Sequence, residues 1–304
     1  MSEVKKIKIN ENISGQRLDN FLINELKGVP KSKIYSIIRK GEIRVNSKRK
    51  KPSYKLHKDD ELRIPPIRTS EIKNLFVPSK IITVLKKAVI FENNDFIAIN
   101  KPEGIASHGG SGISIGVIEA IRNFGKSYRN AKLVHRLDKD TSGCQIIAKN
   151  NQFLRRCNKF ISDRKVKKTY QVVVHGKWTD KKGVYEMHLK KSNLQGNERV
   201  VKASEQGKIA KSIFKPLEVK KTLSLLECEL ITGRTHQLRV QLSELGFPIV
   251  GDKKYRSKRT SRLNLLNLKN RMYLHAISFT AQDLDIDISV DPPEEFKKII
   301  KISE

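Results

Sequence analysis

Residues 133–143 read LVHRLDKDTSG and gather one histidine, two cations, two aspartates and two hydroxyls directly behind an apolar pair. Four kinds of chemistry compete for such a stretch. His135, Asp138 and Ser142 supply the residue types of a hydrolase triad, but triads converge from distant parts of a fold, and nothing here resembles a nucleophile elbow. His135, Asp138 and Asp140 could ligate a metal, yet a histidine and an aspartate three residues apart lack companion ligands. A turn of solvated ion pairs also accounts for the composition, because surface pairs are common and contribute little. The fourth is a carboxylate that reacts. Asp138 follows Arg136 and Leu137 and precedes the sharp polar turn TSG. A carboxylate held near a cation stays ionised and can serve as nucleophile or base. Asp140 sits among the turn hydroxyls, where aspartate commonly bonds its own backbone. On the local residues alone, the ion-pair turn and the reactive carboxylate both stand.

Two distant segments bear on Asp138. In LITGRTHQLRV a strand end and Gly233 precede Arg234, which reads as the opening residue of a helix. An arginine so placed can reach across a cleft to a carboxylate in a bidentate pair; His236 and Arg239 follow it. In KKTYQVVV, Tyr170 stands on a strand and offers a flat ring on which a base could stack. Taken alone, a strand tyrosine is more often part of a core.

Three segments must position these residues. In ISGQRLDNFLINELKG, Leu18, Phe21, Leu22 and Leu26 recur at helical spacing, with Ser14 as cap and Gly28 and Pro30 as breakers. Ser32 caps KIYSIIRKG, whose Ile34, Ile37 and Ile38 line one face and which stops at Gly41. EIRVN and DDELRIP read as strands, so residues 1–65 form a small helix–helix–strand unit. Its second helix and following turn carry Lys31, Lys33, Arg39, Lys40, Arg44, Lys48 and Arg49, with Lys50 and Lys51 beyond. Cations at a short helix and turn suit phosphate contacts. Residues 66–87 read as a linker opened by Pro65 and Pro66 and interrupted by Pro78. From residue 88 to 304, β-branched strands outnumber helices and cluster in pairs. This predicts an α+β chain in which a mixed, mainly antiparallel sheet with flanking helices follows the small unit. The tail after Ala276 reads as polar and irregular.

The 304 residues include 62 Lys plus Arg against 32 Asp plus Glu, a formal charge of +30. Such a field favours a polyanion, since counterion release from phosphates supplies affinity with little sequence preference. The three cysteines, Cys144, Cys157 and Cys228, form no CxxC pair. They predict neither a zinc knuckle nor a disulfide framework and suit a reducing cytoplasm. No apolar run is long enough to span a bilayer, and the N-terminus lacks the apolar region of a signal peptide. A monomer is expected.

The motifs NKPEGIASHGG, LVHRLDKDTSGCQIIAKN, KKTYQVVVHG, LITGRTHQLRVQLSELGFPIVGDKKY and YLHA occur in the order seen in the RluA-type pseudouridine synthases. Residues 88–276 resemble that family. HGGSG and GVIEAIR are more similar to its RluC branch, which modifies large-subunit ribosomal RNA. The unit RLDNFLINEL…SKIYSIIRKGEIRVN resembles the RNA-binding domain of ribosomal small-subunit protein S-four. The resemblance implies isomerisation of uridine to pseudouridine in RNA, without metal or redox cofactor. It implies Asp138 as catalytic aspartate and Tyr170 as the ring stacked on the uracil and active in proton transfer. Arg234 would pair with the catalytic carboxylate, Arg136 would help to open the RNA stack, and Leu238 would line the uracil pocket. The rival expectation is a non-catalytic RNA-binding ribosome-assembly factor, which needs the basic helix pair but not Asp138, Tyr170 and Arg234 together.

Overall fold

The apolar spacing near the N-terminus resolves into two short helices packed on a three-stranded sheet. The structure, a computed structural model, describes residues 4–11, 13–26, 28–67, 76–110, 115–193, 199–255 and 271–302. The chain divides into two compact units, Met1–Phe76 and Val77–Glu304. The first contains β1 (Lys5–Lys8), α1 (Leu18–Glu25), α2 (Lys31–Lys40), β2 (Arg44–Val45) and β3 (Glu61–Ile64), with the antiparallel order β1-β3-β2. Leu18, Leu22, Ile34, Ile37 and Ile38 from the two helices meet Val45, Leu62 and Ile64 in one core. Asp19 is buried yet satisfied. It accepts two bonds from the Arg17 guanidinium at 3.1 and 2.7 Å and one from Tyr35 Oη at 3.2 Å. The Arg17 hydrogen bond, working against burial, keeps its carboxyl below the ordinary range.

The second unit begins where the sequence predicts a linker. Residues 68–75 of that stretch lie outside the described residues, but α3 (Ser79–Lys87) is a helix whose Leu85 is fully buried against Ile97, Ile99 and Val117. Pro78 precedes this helix as its N-cap, so a residue that reads as a breaker acts as a start signal. The unit continues through β4 (Val89–Glu92), β5 (Phe96–Lys101), α4 (Val117–Ile121), β6 (Lys132–Leu133), β7 (Ser142–Ala148) and α5 (Asn151–Ser162). Then follow β8 (Lys167–His175), β9 (Gly183–Asn193), β10 (Arg199–Ala203), β11 (Lys208–Val219), β12 (Leu223–Leu230) and α6 (Gln237–Glu244). The described elements end with β13 (Leu274–Ala281), β14 (Ile286–Ser289) and α7 (Glu295–Ile302).

One mixed sheet runs β10-β9-β11-β12-β8-β13-β7-β5-β4, with β14 added to β13 and β6 to β7. Every described pairing is antiparallel except β13 with β7. That exception explains the glycine of TSG. Gly143 has φ +109°, and a Cβ there would strike the Ala276 carbonyl where the two strands run parallel. The strand period then sorts β8: Tyr170, Val172 and Val174 face the core under α6, while Val173 faces a second core with Tyr273, Phe296 and Ile300. The tail after Ala276 is therefore not irregular. Phe279, Ala281, Ile286 and Ile288 are buried beside β7 and α5, and α7 covers the opposite face. Its alternating DIDIS and its Phe296, Ile299 and Ile300 carry the two periods that its charged residues obscure.

Candidate active site

The loop before β7 is held by a buried polar frame. His135 Nε2 accepts from the Ile146 N–H at 3.1 Å, and its ring stacks on Phe279 at 4.9 Å. Burial drives its pKa down to about 3, helped by the nearby Lys168 charge. With Nε2 accepting a backbone N–H, His135 serves the fold as a neutral group, and no cluster of His, Cys, Asp or Glu placed to hold a metal exists among the described residues. Ser107 Oγ donates to the Leu137 carbonyl at 2.7 Å and accepts from the Leu137 N–H at 3.0 Å. Ser142 Oγ accepts from Arg271 at 2.7 Å and meets His275 Nδ1 at 2.8 Å, both inside the fold. With the loop pinned on both sides, Asp138 projects from a fixed backbone, its side chain 28% exposed. Asp140, further along the same turn, is exposed.

The cation beside Asp138 is Arg239, not Arg234. Arg239 donates to Asp138 Oδ2 at 3.1 Å and grips Asp252 with two bonds of 2.7 and 2.9 Å. Its side chain is 8% exposed and that of Asp252 is fully buried. Burial opposes the Arg239 charge, but the bonds and fields of the two carboxylates outweigh it and raise its pKa. The exchange of one arginine for the other has a simple physical origin. The helix begins at Gln237, three residues later than its sequence suggests, because His236 takes a left-handed conformation with φ +51°. Arg234 therefore stays outside the helix, exposed, with Nε bonded to the Ile209 carbonyl at 2.9 Å. Arg239 falls in the first turn, facing inward. Two buried glutamines fix that helix to β11: Gln237 Nε2 donates to the Lys211 carbonyl at 3.0 Å, and Gln241 Nε2 donates to the Ala210 carbonyl at 3.1 Å. Asp252 and Tyr255, both from the GDKKY stretch, complete the surroundings. The Tyr255 ring lies 5.1 Å from the Arg239 guanidinium, and its hydroxyl meets His236 Nδ1 at 2.7 Å. His236 Nε2 is 3.8 Å from Asp138 Oδ2.

Tyr170, 6% exposed, shares a buried cluster with Leu137, Leu238, Cys228 and Ala276. Burial, and then the Asp138 charge, push its phenol well above the ordinary range, so it is a neutral hydroxyl at neutral pH. The structure thus brings Asp138, Tyr170 and Leu238 to one place and adds Arg239. Arg136 is exposed and has no ion pair among the described residues. In the first unit, Lys31, Lys33, Arg39, Lys40, Arg44, Lys48 and Arg49 are likewise exposed and form no ion pair among the described residues, whereas Lys5, Lys6 and Lys8 each meet a carboxylate.

Lys101, from the NKPEG motif, is a site residue that its sequence context does not single out. It is completely buried, and its ammonium donates to three backbone carbonyls: Pro102 at 2.7 Å, Ile105 at 2.8 Å and Lys139 at 3.1 Å. It ties the loop after β5 to the residue next to Asp138. Burial pulls its pKa down to about 7 against the fields of Asp140, Asp138 and Glu103. Between about pH 7 and the ordinary 10.5, the unfolded chain holds a proton that the folded chain has released, so this group's contribution to stability rises with pH across that window. Lys101→Met should leave carbonyls unpaired, at about 1–3 kcal/mol for a buried unsatisfied group. In urea unfolding at a series of pH values, wild type should gain on the variant as pH rises through the window. A constant difference would remove the buried ammonium from the account.

Comparison with known proteins places the chain in a family. Residues 95–244 match the RNA pseudouridylate synthase family, and residues 16–62 match the S4 domain. "Ribosomal large subunit pseudouridine synthase C" of Pasteurella multocida is 42% identical over 98% of this chain and 93% of its own length. The protein of the same name from Escherichia coli K12 is 42% identical over 90% of this chain and 87% of its own. Among solved structures, "Human RNA Pseudouridylate Synthase Domain Containing 4" superposes with a TM-score of 0.59 over 73% of this chain and 95% of that one, at 23% identity, a likeness of fold. Motif order, a shared fold and identity over nearly the whole length converge: the chain belongs to the RNA pseudouridylate synthase family and carries an N-terminal S4 domain.

Proposed function

We propose that the protein isomerises specific uridines of large-subunit ribosomal RNA to pseudouridine, with Asp138 as the essential carboxylate. The observation that carries the assignment is the Asp138–Arg239 pair at 3.1 Å beside the buried ring of Tyr170. In the reaction the N1–C1′ bond breaks, the base turns and C5 bonds to C1′; the C5 proton leaves to solvent and N1 gains one. Atoms and oxidation state balance without a co-substrate. Arg239 bonds Asp138 Oδ2 and holds its carboxylate in place. Tyr170 and Leu238 supply an apolar wall for the uracil, and Arg136 is exposed to contact the RNA that surrounds it. The target must leave its stack, at a cost of a few kcal/mol that contacts to base and backbone offset.

The exposed cations of α2 and β2 give the S4 domain its phosphate-facing edge. The large-subunit substrate follows from the relatives' names, and the field of +30 suits it. Asp138, Arg239, Tyr170 and Leu238 all come from one chain, in keeping with a monomer. No helix among the described residues is long and apolar enough to cross a membrane, and a ribosomal RNA substrate favours a cytoplasmic location. A purely structural assembly factor would not need Asp138, Arg239 and Tyr170 in this arrangement. Incubating the protein with unmodified large-subunit RNA and mapping pseudouridine by carbodiimide treatment and primer extension should give discrete new stops. A transcript without new stops would reject the substrate.

A further inference from the structure

Freed from Asp138, Arg234 occupies a second basic site. The strand period places Leu189, Lys191, Val201 and Lys208 on one face of the β10-β9-β11 edge, since Lys191 lies opposite Val201 and Lys208 opposite Leu189. Leu189 and Val201 are buried under Val240 of α6, with Tyr255 packed against them. Around this apolar floor, Lys191, Lys208 and Arg234 line a concavity, and no carboxylate among the described residues lines it with them. The lysines and the arginine are exposed. Arg234 is held from behind, with Nε on the Ile209 carbonyl and its own N–H on Gln237 Oε1 at 3.0 Å, so the outer edge of its planar fork is presented outward.

The concavity adjoins the Asp138 site through one residue. Tyr255 Oη accepts from the Val201 N–H on the floor at 3.1 Å and meets His236, which faces Asp138. A chain of phosphodiesters leaving the catalytic cleft on this side would reach three cations.

We propose that Lys191, Lys208 and Arg234 form a phosphodiester groove that grips the RNA strand flanking the target uridine. This rests on the proposed function for the identity of the strand, while the groove itself is defined by its charge and geometry. Each phosphate contact made to a single strand adds about 0.7 to the slope of log affinity against log salt concentration. In the full-length protein, binding of a large-subunit RNA hairpin would be titrated over about 50–200 mM KCl. Lys191→Gln combined with Lys208→Gln should lower the slope by about 1.4, because two phosphates then face no cation, and weaken binding most at low salt. Arg234→Gln should lower it by about 0.7. The control, Lys297→Gln with Lys301→Gln on α7, removes the same two charges from a remote face and should leave the slope near that of wild type.

Equal shifts for groove and control would overturn the groove in favour of a diffuse field, and an unchanged slope for the groove pair would overturn it outright. The groove lysines are exposed, so the pair tests the proposal even if Arg234→Gln destabilises the fold. Pseudouridine formation by wild type is scored separately. A groove-specific slope change without product would sink the catalytic reading and spare the groove, whereas product with no such change would do the reverse.

Discussion

Asp138→Asn should abolish pseudouridine formation while the protein folds and binds RNA as before. The substitution preserves shape and removes one charge. Little of the fold depends on that charge, because the side chain is 28% exposed and Arg239 keeps both of its bonds to Asp252. The loop is fixed by its backbone and its neighbours: the Thr141 N–H donates to the Asp138 carbonyl at 3.2 Å, Ser107 holds Leu137, and Lys101 holds Lys139. RNA affinity should stay within a few-fold and rise if it moves, since a carboxylate in the cleft repels phosphate. The chemical step has no substitute. Asn offers neither an anionic nucleophile nor a base, and groups acting directly on reacting atoms commonly cost on the order of 10⁴-fold or more when removed. Release of tritium from RNA carrying 5-tritiated uridine measures the step. Release at the wild-type rate would end the assignment of Asp138, whatever the binding data show.

How far the site is legible in the sequence depends on whether each residue's place is set by its neighbours in the chain or by tertiary pairing. Asp138 stands out as a candidate because HRLDKDTSG is contiguous and its setting, an apolar residue followed by a tight turn, is local, although those residues alone also fit an ion-pair turn. Tyr170 can be placed on its strand because β8 shows a clear β-branched run, but its face is fixed only by pairing with Cys228 on β12 and Ala276 on β13. Arg234 misleads because its role hangs on a helix boundary. Periodicity locates a helix body well and its first turn poorly, and the left-handed His236 moves the start by three residues. A three-residue shift turns an outward arginine into the expected partner and hides the real one.

Arg239 carries a signal in its own surroundings. Six consecutive residues from Gln237 to Leu242 are buried, and an arginine inside such a run must have a carboxylate partner. Asp252 and Tyr255 cannot be matched to it from spacing, since a turn and an isolated bridge at Ile249 bring GDKKY back over α6. Lys101 looks like one more lysine in a lysine-rich chain, and only its burial separates it from the other cations. The large sheet is legible in kind but not in extent, because residues 183–219 mix lysines into every strand and mask the alternation that β9 and β11 obey.

Arg239 is the position where charge, geometry and stability separate most sharply. Arg239→Met should destabilise the protein heavily: it leaves the fully buried Asp252 carboxylate without its cation, and breaking a buried pair in this way costs about 3–5 kcal/mol. Activity should fall with it, since Asp138 loses the same guanidinium. Arg239→Lys separates the two effects. An ammonium keeps the charge but is a single point, so it cannot hold Asp252 with two bonds and reach Asp138 with a third. The lysine variant should fold with a smaller loss and still turn over poorly, with the deficit in kcat.

The double variant Arg239→Met with Asp252→Asn closes the cycle. It removes the orphaned charge along with its partner, so thermal unfolding should recover much of the stability that Arg239→Met loses. Pseudouridine formation should not recover, because Asp138 still faces no guanidinium at that position. The acid limb offers an independent reading. The Asp252 pKa lies below the ordinary range, since the bonds and field of Arg239 overcome the opposing effect of burial. Its stabilising contribution is therefore complete above the unfolded carboxylate range and is lost as pH falls through the lower folded value. Stability should therefore fall more steeply with acid in wild type, which holds this contribution, than in the double variant, which lacks the group. Recovery of activity in the double variant would show that Arg239 serves the fold alone and that Asp138 works without it.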